Sequence, residues 1–110
     1  MHPKVPDVFE LLKKCAADMR TVTYQEIASE VGLATQGVGP PLTYIRDEVC
    51  RKRGLPWLTA IAVSKPTRRP ATGFLPEGVI LRQDDESFWR GMVLQVFAYD
   101  WASVHLDPVG

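Results

Sequence analysis

Apolar residues recur at helical spacing in the first third of the chain. Between residues 6 and 20 they fall at i, i+3, i+4, i+7, i+8 and i+11, which predicts an amphipathic helix. The residues on its apolar face are Val8, Leu11, Leu12, Cys15, Ala16 and Met19. A second helix is predicted after Thr23, because Thr23 and Glu26 have the spacing of a capping box and Gly32 suits the left-handed helix end. Its inward positions are Ile27, Ala28 and Val31.

A third helix is predicted after the glycine-containing turn "LATQGVG". Pro40 and Pro41 suit its first turn, where a missing N–H group has little effect, and Gly54 ends it. Leu42, Ile45 and Val49 lie at i, i+3 and i+7 and are expected to face inward. The last turn carries three basic residues, whose positive charges interact favourably with the negative end of the helix dipole.

The middle of the chain has the pattern of strands. "LTAIAV", residues 58–63, alternates too little for a half-exposed strand and predicts a buried one. "VILR", residues 79–82, is expected to pair back with it, so that the intervening Pro- and Gly-rich segment forms the basic tip of a hairpin.

The last element lies in "DDESFWRGMVLQVFAYDW", residues 84–101, and its apolar residues again follow helical spacing. The predicted stripe contains Phe88, Trp89, Met92, Val93, Val96 and Phe97. Asp84 or Asp85 is expected to cap the helix, although Gly91 weakens it. A strand is the alternative, because the segment is rich in β-branched and aromatic residues; the helix is preferred.

The length of 110 residues predicts one domain, residues 1–110. The order of elements predicts an α+β fold of the winged helix-turn-helix type, with three N-terminal helices, a small β-hairpin wing and a C-terminal helix. No run of apolar residues approaches eighteen, so no membrane span is predicted. No signal peptide is evident either, and we therefore expect a cytoplasmic protein. Cys15 and Cys50 are expected to be buried thiols.

The net charge of zero conceals an uneven distribution. Residues 46–69 carry seven basic and two acidic side chains, a net +5, whereas residues 70–110 carry two basic and six acidic ones, a net −4. This distribution indicates a polar molecule with a cationic face. The alternative is that the charges simply keep helix faces solvated.

The segments "VTYQEIASEVG", "GVGPPL" and "GLPWLTAIAVS" resemble the DNA-binding domain of the alkylguanine DNA alkyltransferases and the alkyltransferase-like proteins. The resemblance covers roughly residues 20 to 65. It implies a helix-turn-helix fold and duplex DNA as the partner, with Tyr24 against the DNA backbone beside a flipped nucleotide. "GFLPEG" and "VFAYDW" look more like uncharacterised bacterial and phage proteins, and this second likeness implies no activity.

The chain departs from the alkyltransferase pattern at the reactive positions. The acceptor Cys is replaced by Trp57, as in the alkyltransferase-like proteins, and the neighbouring His is Leu58. Thr59 stands where the family has Arg, and Gln36 stands where its intercalating Arg lies. Alkyl transfer needs a thiolate activated by a hydrogen-bonded His, so this reaction is not expected here.

The sequence therefore predicts a non-catalytic DNA-binding protein. Base contacts are expected from the start of the third helix, because Arg can donate two hydrogen bonds to guanine in the major groove. These residues are Thr43, Tyr44 and Arg46. Phosphate contacts are expected from the end of that helix and from the wing, where the cations are Arg51, Lys52, Arg53, Lys65, Arg68 and Arg69. Trp57 either stands at a nucleobase pocket, as the resemblance implies, or fills the core, which we favour.

Other chemistry finds little support in the sequence. His2 and His105 have no ligand at metal-binding spacing, so neither a metal nor a cofactor is expected. No serine has a histidine partner in view, and the glycine-containing turn lacks the Lys of a phosphate loop. The competing function is a protein-interaction module, in which the aromatic C-terminal helix forms a dimer or partner surface.

Overall fold

The computed structural model describes residues 3–68 and 86–104, which form a mostly helical unit with one small sheet. The described elements, in chain order, are α1 (Val5–Ala17), β1 (Val22–Thr23), α2 (Tyr24–Val31), α3 (Gly39–Tyr44), β2 (Ala62–Val63) and α4 (Glu86–Ala98). Short 3-10 turns cover Thr35–Val38, Leu58–Ile61 and Trp101–Ser103. The described part of the chain is therefore of the α+β class.

The start of α2 has the capping box that the sequence predicts. The Thr23 hydroxyl accepts a hydrogen bond from the Glu26 backbone N–H at 3.1 Å, and the Glu26 carboxylate accepts one from the Thr23 N–H at 3.3 Å. Two backbone donors that the helix itself leaves without partners are thus satisfied. The end of α2 is also as predicted, because Gly32 adopts a left-handed φ of +77°.

The third helix begins at Gly39, with Pro40 and Pro41 in its first turn. After Tyr44 the α-helical hydrogen bonding gives way to a π-helical segment, Ile45–Arg51, and two further helical residues precede Gly54. The predicted inward positions Leu42, Ile45 and Val49 are all buried. We call residues 39–53 the third helical segment.

The sheet is the main difference between prediction and structure. β2 does not begin at Leu58, because Leu58–Ile61 is a buried 3-10 turn and only Ala62–Val63 is extended. β2 pairs with β1 in parallel, with Val22 opposite Ala62 and Thr23 opposite Val63. The predicted hairpin partner, residues 79–82, lies outside the described residues. The prediction missed β1 because two residues are too few to show an alternating pattern.

Helix α1 lies at the centre of the core. It packs against α2, α3, the Leu58–Ile61 turn, α4 and the Trp101–Ser103 turn. The largest fully buried side chains include Phe9, Leu12, Ile27, Leu42, Ile45, Leu58 and Ile61, all of which lie in these elements except Ile45, which directly follows α3. Burying one such side chain contributes about 1.5–3 kcal/mol, so this common core, rather than the two-residue strands, supplies most of the stabilisation.

Helix α4 confirms the helical interpretation of the last element. Trp89, Met92, Val93 and Val96 face the core, and the Trp89 indole N–H donates to the Ala60 carbonyl at 2.9 Å. The predicted stripe is wrong at Phe88, which is 55% exposed. Phe88 precedes Trp89 by one residue, a rotation of about 100°, which takes its ring to the edge of the buried face. The predicted caps, Asp84 and Asp85, lie outside the described residues.

The sequence prediction is also wrong at Met19, which was expected on the apolar face of α1. Met19 follows the helix and is 68% exposed, with a left-handed φ of +56°. Its N–H donates to the Ala16 carbonyl and that of Arg20 to the Cys15 carbonyl, both at 3.0 Å. This is the Schellman arrangement, in which glycine is the usual residue. Gly54 has the equivalent place after the third helical segment, with φ of +65°.

Exchanging residues at these two helix ends should move stability in opposite directions. Met19→Gly should raise the free energy of unfolding by roughly 0.5–1 kcal/mol, because glycine adopts the left-handed conformation without strain. Gly54→Ala should lower it by about 1 kcal/mol, since an added Cβ meets nothing within 4 Å and only backbone strain remains. Urea unfolding of both variants tests this; a destabilised Met19→Gly would contradict the assigned helix end.

Candidate nucleic-acid interface

The parallel pairing of β1 and β2 brings two predicted DNA-contacting segments to one edge of the sheet. Because the strands run in the same direction, the residues that follow them leave the sheet side by side. The residue after β1 is Tyr24, the first residue of α2, and the residue after β2 is Ser64. Neighbouring strands lie about 4.8 Å apart, so the start of α2 adjoins the segment that carries Lys65 and Arg68.

Residues 64–68 form a closed turn, which we call the basic turn. The Arg68 N–H donates to the Ser64 carbonyl at 2.8 Å, and Arg68 has a left-handed φ of +57°. Lys65 and Arg68 are both exposed, whereas Ser64 is half-buried. A left-handed conformation is uncommon in a residue other than glycine, and here it accompanies the chain reversal that leaves both cations at the surface. Arg69 lies outside the described residues.

The three predicted base-contacting residues differ in their surroundings. Thr43 is exposed, whereas Tyr44 is half-buried and packs against the core. Arg46 is held by its neighbour, since its guanidinium donates to both Asp47 carboxylate oxygens at 2.7 and 2.8 Å. This paired hydrogen bond lowers the pKa of Asp47. Arg46 would have to exchange these bonds to reach a guanine.

The basic end of the third helical segment is at the surface. Arg51, Lys52 and Arg53 are all exposed. Lys52 forms an ion pair with Glu48 one turn earlier, and the hydrogen bond from this pair raises the pKa of Lys52. Exposed pairs of this kind hold their partners weakly, so a phosphate group can replace Glu48. The π-helical segment starts directly after Tyr44 and includes Arg51, and π-helical turns are frequent at functional sites.

The positions that correspond to the alkyltransferase reactive motif belong largely to the interior. Leu58 and Thr59, at the His and Arg positions of the resemblance, both have no exposed surface. Trp57 is half-buried and packs against the core, and Gln36 is exposed in the 3-10 turn between α2 and α3. The interpretation of Trp57 as a core residue accounts for its contacts, and its role at a nucleobase pocket stays a prediction.

The two thiols are buried, as expected from the sequence. Burial raises the pKa of Cys15, and it raises that of Cys50 to about 11. Neither thiol therefore has the electropositive, accessible surroundings that activate a nucleophilic cysteine. Within residues 3–68 and 86–104, no three His, Cys, Asp or Glu side chains are grouped so that they could hold a metal ion. His2 and His105 lie outside these ranges.

A cleft lies between α1 and the segment after α4. It has a volume of about 510 Å³ and is lined by Lys13, Lys14, Tyr99 and Asp100, among others. Lys13 is committed to the fold, because its ammonium group donates to the Val104 carbonyl at 2.7 Å and also pairs with Glu10. In this described part of the molecule, no helix is both long and apolar enough to span a membrane.

Sequence reasoning found the cations of the candidate interface but missed the strand pairing that brings the start of α2 next to the segment after β2. The only local signal for β1 is the β-branched run Thr21–Thr23, which is too short to predict a strand. Comparison of the chain with protein-family models, with curated proteins and with solved structures finds no match. The functional argument therefore depends on the chain's own geometry.

Proposed function

We propose that this protein binds duplex DNA without catalysis, as a winged helix-turn-helix module. The observation that carries the proposal is the parallel register of β1 and β2, which sets Tyr24 at the start of α2 beside the basic turn. Tyr24, Lys65 and Arg68 then contact one stretch of DNA backbone, and the third helical segment enters the adjacent major groove.

The charge distribution supports backbone contact. The exposed cations Arg51, Lys52, Arg53, Lys65 and Arg68 all fall within the +5 part of the chain, together with Arg69. Each phosphate that they neutralise releases a condensed counterion, so affinity depends on salt. Six such contacts give a slope of roughly −5 in a plot of log K against log salt concentration.

We propose binding without catalysis because of the residues that stand at the positions of the alkyltransferase reactive motif. Trp57 offers no nucleophile, and a buried Leu58 offers no base. Both cysteines are buried with raised pKa values, although the Cys50 thiol lies close enough to Leu58 to hydrogen-bond its backbone. Binding, rather than alkyl transfer, is the function that these residues support.

An Arg68→Glu variant tests the proposal. We expect its affinity for a labelled duplex to fall at least about tenfold, with a salt slope shallower by about 1, because one phosphate contact becomes a repulsion. Fluorescence anisotropy at two salt concentrations measures both quantities. Lys14→Glu is the charge-matched control, since Lys14 is exposed on α1 rather than on the basic turn; its affinity should stay within about twofold of wild type.

Two results would contradict this function. One is no binding of duplex at low salt, where electrostatic attraction is strongest. The other is an equal loss of affinity in Arg68→Glu and Lys14→Glu, which would indicate a response to net charge rather than a defined interface. A single-stranded probe of the same sequence, measured alongside, shows whether the duplex is preferred.

A further inference from the structure

The cleft between α1 and the segment after α4 has the size of a small-molecule site. Its volume of about 510 Å³ lies within the roughly 300–1,000 Å³ of typical ligand pockets. One wall is a face of α1, and the other is the segment that follows α4. The described residues that line the two walls are Glu10, Lys13, Lys14 and Ala17, and Tyr99, Asp100, Trp101 and Ala102. None of these residues belongs to the candidate nucleic-acid interface.

The two walls are held in place by contacts within the fold. The Lys13 ammonium group donates to the Val104 carbonyl at 2.7 Å and so ties α1 to the segment after α4. Trp101 is only 3% exposed, and its indole N–H donates to the Val96 carbonyl at 2.7 Å. The Trp101 ring supports that of Tyr99, with the ring centres 4.9 Å apart. A site that is ordered in advance loses less entropy when a ligand binds.

Three groups in the cleft are not committed to the fold. Glu10 pairs with Lys13 at 3.3 Å, which leaves one cation, Lys14, and one anion, Asp100. Within residues 3–68 and 86–104, neither of these two exposed side chains forms an ion pair or a hydrogen bond. The third group is the ring of Tyr99, which is 40% exposed. Because Lys14 and Asp100 line one cleft without pairing with each other, a ligand that carries both charges can bridge them.

We propose that this cleft binds a free aromatic α-amino acid. The carboxylate of the ligand accepts a hydrogen bond from the Lys14 ammonium group, and the ammonium group of the ligand donates to the Asp100 carboxylate. The aromatic ring of the ligand packs on the ring of Tyr99. The charged side chains that line the described walls, two basic and two acidic, have no net charge, which suits a zwitterion better than a nucleotide or another polyanion.

An NMR titration of isotope-labelled protein with L-phenylalanine tests the proposal. The amide resonances of Ala17 and Ala102, which lie on opposite walls, should shift together. We expect a dissociation constant of roughly 0.1–1 mM, because two exposed ion pairs and one ring contact contribute modestly. Three analogues separate these contributions: phenylpropionate keeps only the carboxylate, phenethylamine keeps only the ammonium group, and N-acetyl-L-phenylalanine amide keeps neither. Each should bind at least about threefold more weakly than phenylalanine.

Substitutions in the cleft assign each charge of the ligand to its partner. Lys14→Gln should weaken the binding of phenylalanine and phenylpropionate about threefold and leave that of phenethylamine unchanged. Asp100→Asn should weaken the binding of phenylalanine and phenethylamine and leave that of phenylpropionate unchanged. Tyr99→Ala should weaken all three, whereas Tyr99→Phe, which keeps the ring, should bind as wild type does. Lys65→Gln is the control for Lys14→Gln, because Lys65 is exposed on the basic turn.

Three outcomes overturn the proposal. The first is no shift at Ala17 and Ala102 with any of these compounds up to about 20 mM. The second is tighter binding of the neutral amide or of adenosine monophosphate than of phenylalanine. The third is an unchanged affinity for phenylalanine in both Lys14→Gln and Asp100→Asn, which alter exposed side chains and so retain the fold. These measurements use no DNA, so they succeed or fail independently of the proposed function.

Discussion

Trp89→Ala is expected to lower the free energy of unfolding by about 3–5 kcal/mol. Trp89 is only 8% exposed and joins α4 to the Leu58–Ile61 turn, where its indole N–H donates to the Ala60 carbonyl. The substitution removes a large buried ring and also leaves that carbonyl without this partner. Since a small domain has a total stability of about 5–15 kcal/mol, the variant should be close to unfolding at ambient temperature. Urea unfolding followed by far-UV circular dichroism measures the effect.

Phe88→Ala is the matched control for this prediction. Phe88 is the adjacent aromatic residue on the same helix, yet it is 55% exposed, so its loss should change the free energy of unfolding by less than about 1 kcal/mol. Trp89→Phe keeps an aromatic ring but removes the N–H donor and part of the indole volume; we expect a smaller loss of roughly 1–3 kcal/mol. Equal effects of Phe88→Ala and Trp89→Ala would contradict the orientation of α4.

Alkaline pH is expected to destabilise the fold through Cys50. Burial raises the pKa of this thiol from 9.0 to about 11, because the thiolate is poorly solvated in the core. Below pH 9 the thiol is protonated in both states and its contribution to stability is complete. Between pH 9 and 11 it ionises in the unfolded state first, so stability falls as pH rises. The loss reaches roughly 3 kcal/mol, the value of a two-unit shift, once pH is well above 11 and the thiol is ionised in both states.

Cys50→Ala provides the comparison for this pH dependence. The variant lacks the titrating thiol. Between pH 8 and 11 its free energy of unfolding should therefore fall by roughly 2 kcal/mol less than that of wild type. Other groups that titrate in this range are common to both proteins and cancel in the difference. Cys15→Ala, measured in the same way, gives the contribution of the other thiol, whose pKa burial also raises. Identical pH profiles for wild type and Cys50→Ala would refute the prediction.

The candidate interface shows how far residue patterns lead towards a site. The basic composition of residues 46–69 was evident in the sequence, as was the capping box beside Tyr24. That the start of α2 adjoins the basic turn was not, because this depends on a pairing between residues forty positions apart. The bidentate bond between Arg46 and Asp47 was also missed, although the two residues are adjacent, since side-chain geometry decides whether neighbours meet.

The sequence by itself determined the features whose causes are local. Thr23 and Glu26 specify the start of α2, Gly32 and Gly54 specify helix ends, and the spacing of Leu42, Ile45 and Val49 specifies the inward face of the third helical segment. Each depends on hydrogen bonds or steric limits within a few residues, so a pattern can predict it.

The tertiary structure alone decided the features that depend on packing between distant segments. It paired β2 with β1 and turned Phe88 outward while Trp89 reached Ala60. It also placed Met19, after the end of α1, in a left-handed conformation that a residue with a side chain disfavours. Such choices follow from the free energy of the whole core, in which burial of many side chains together outweighs the preference of any one residue.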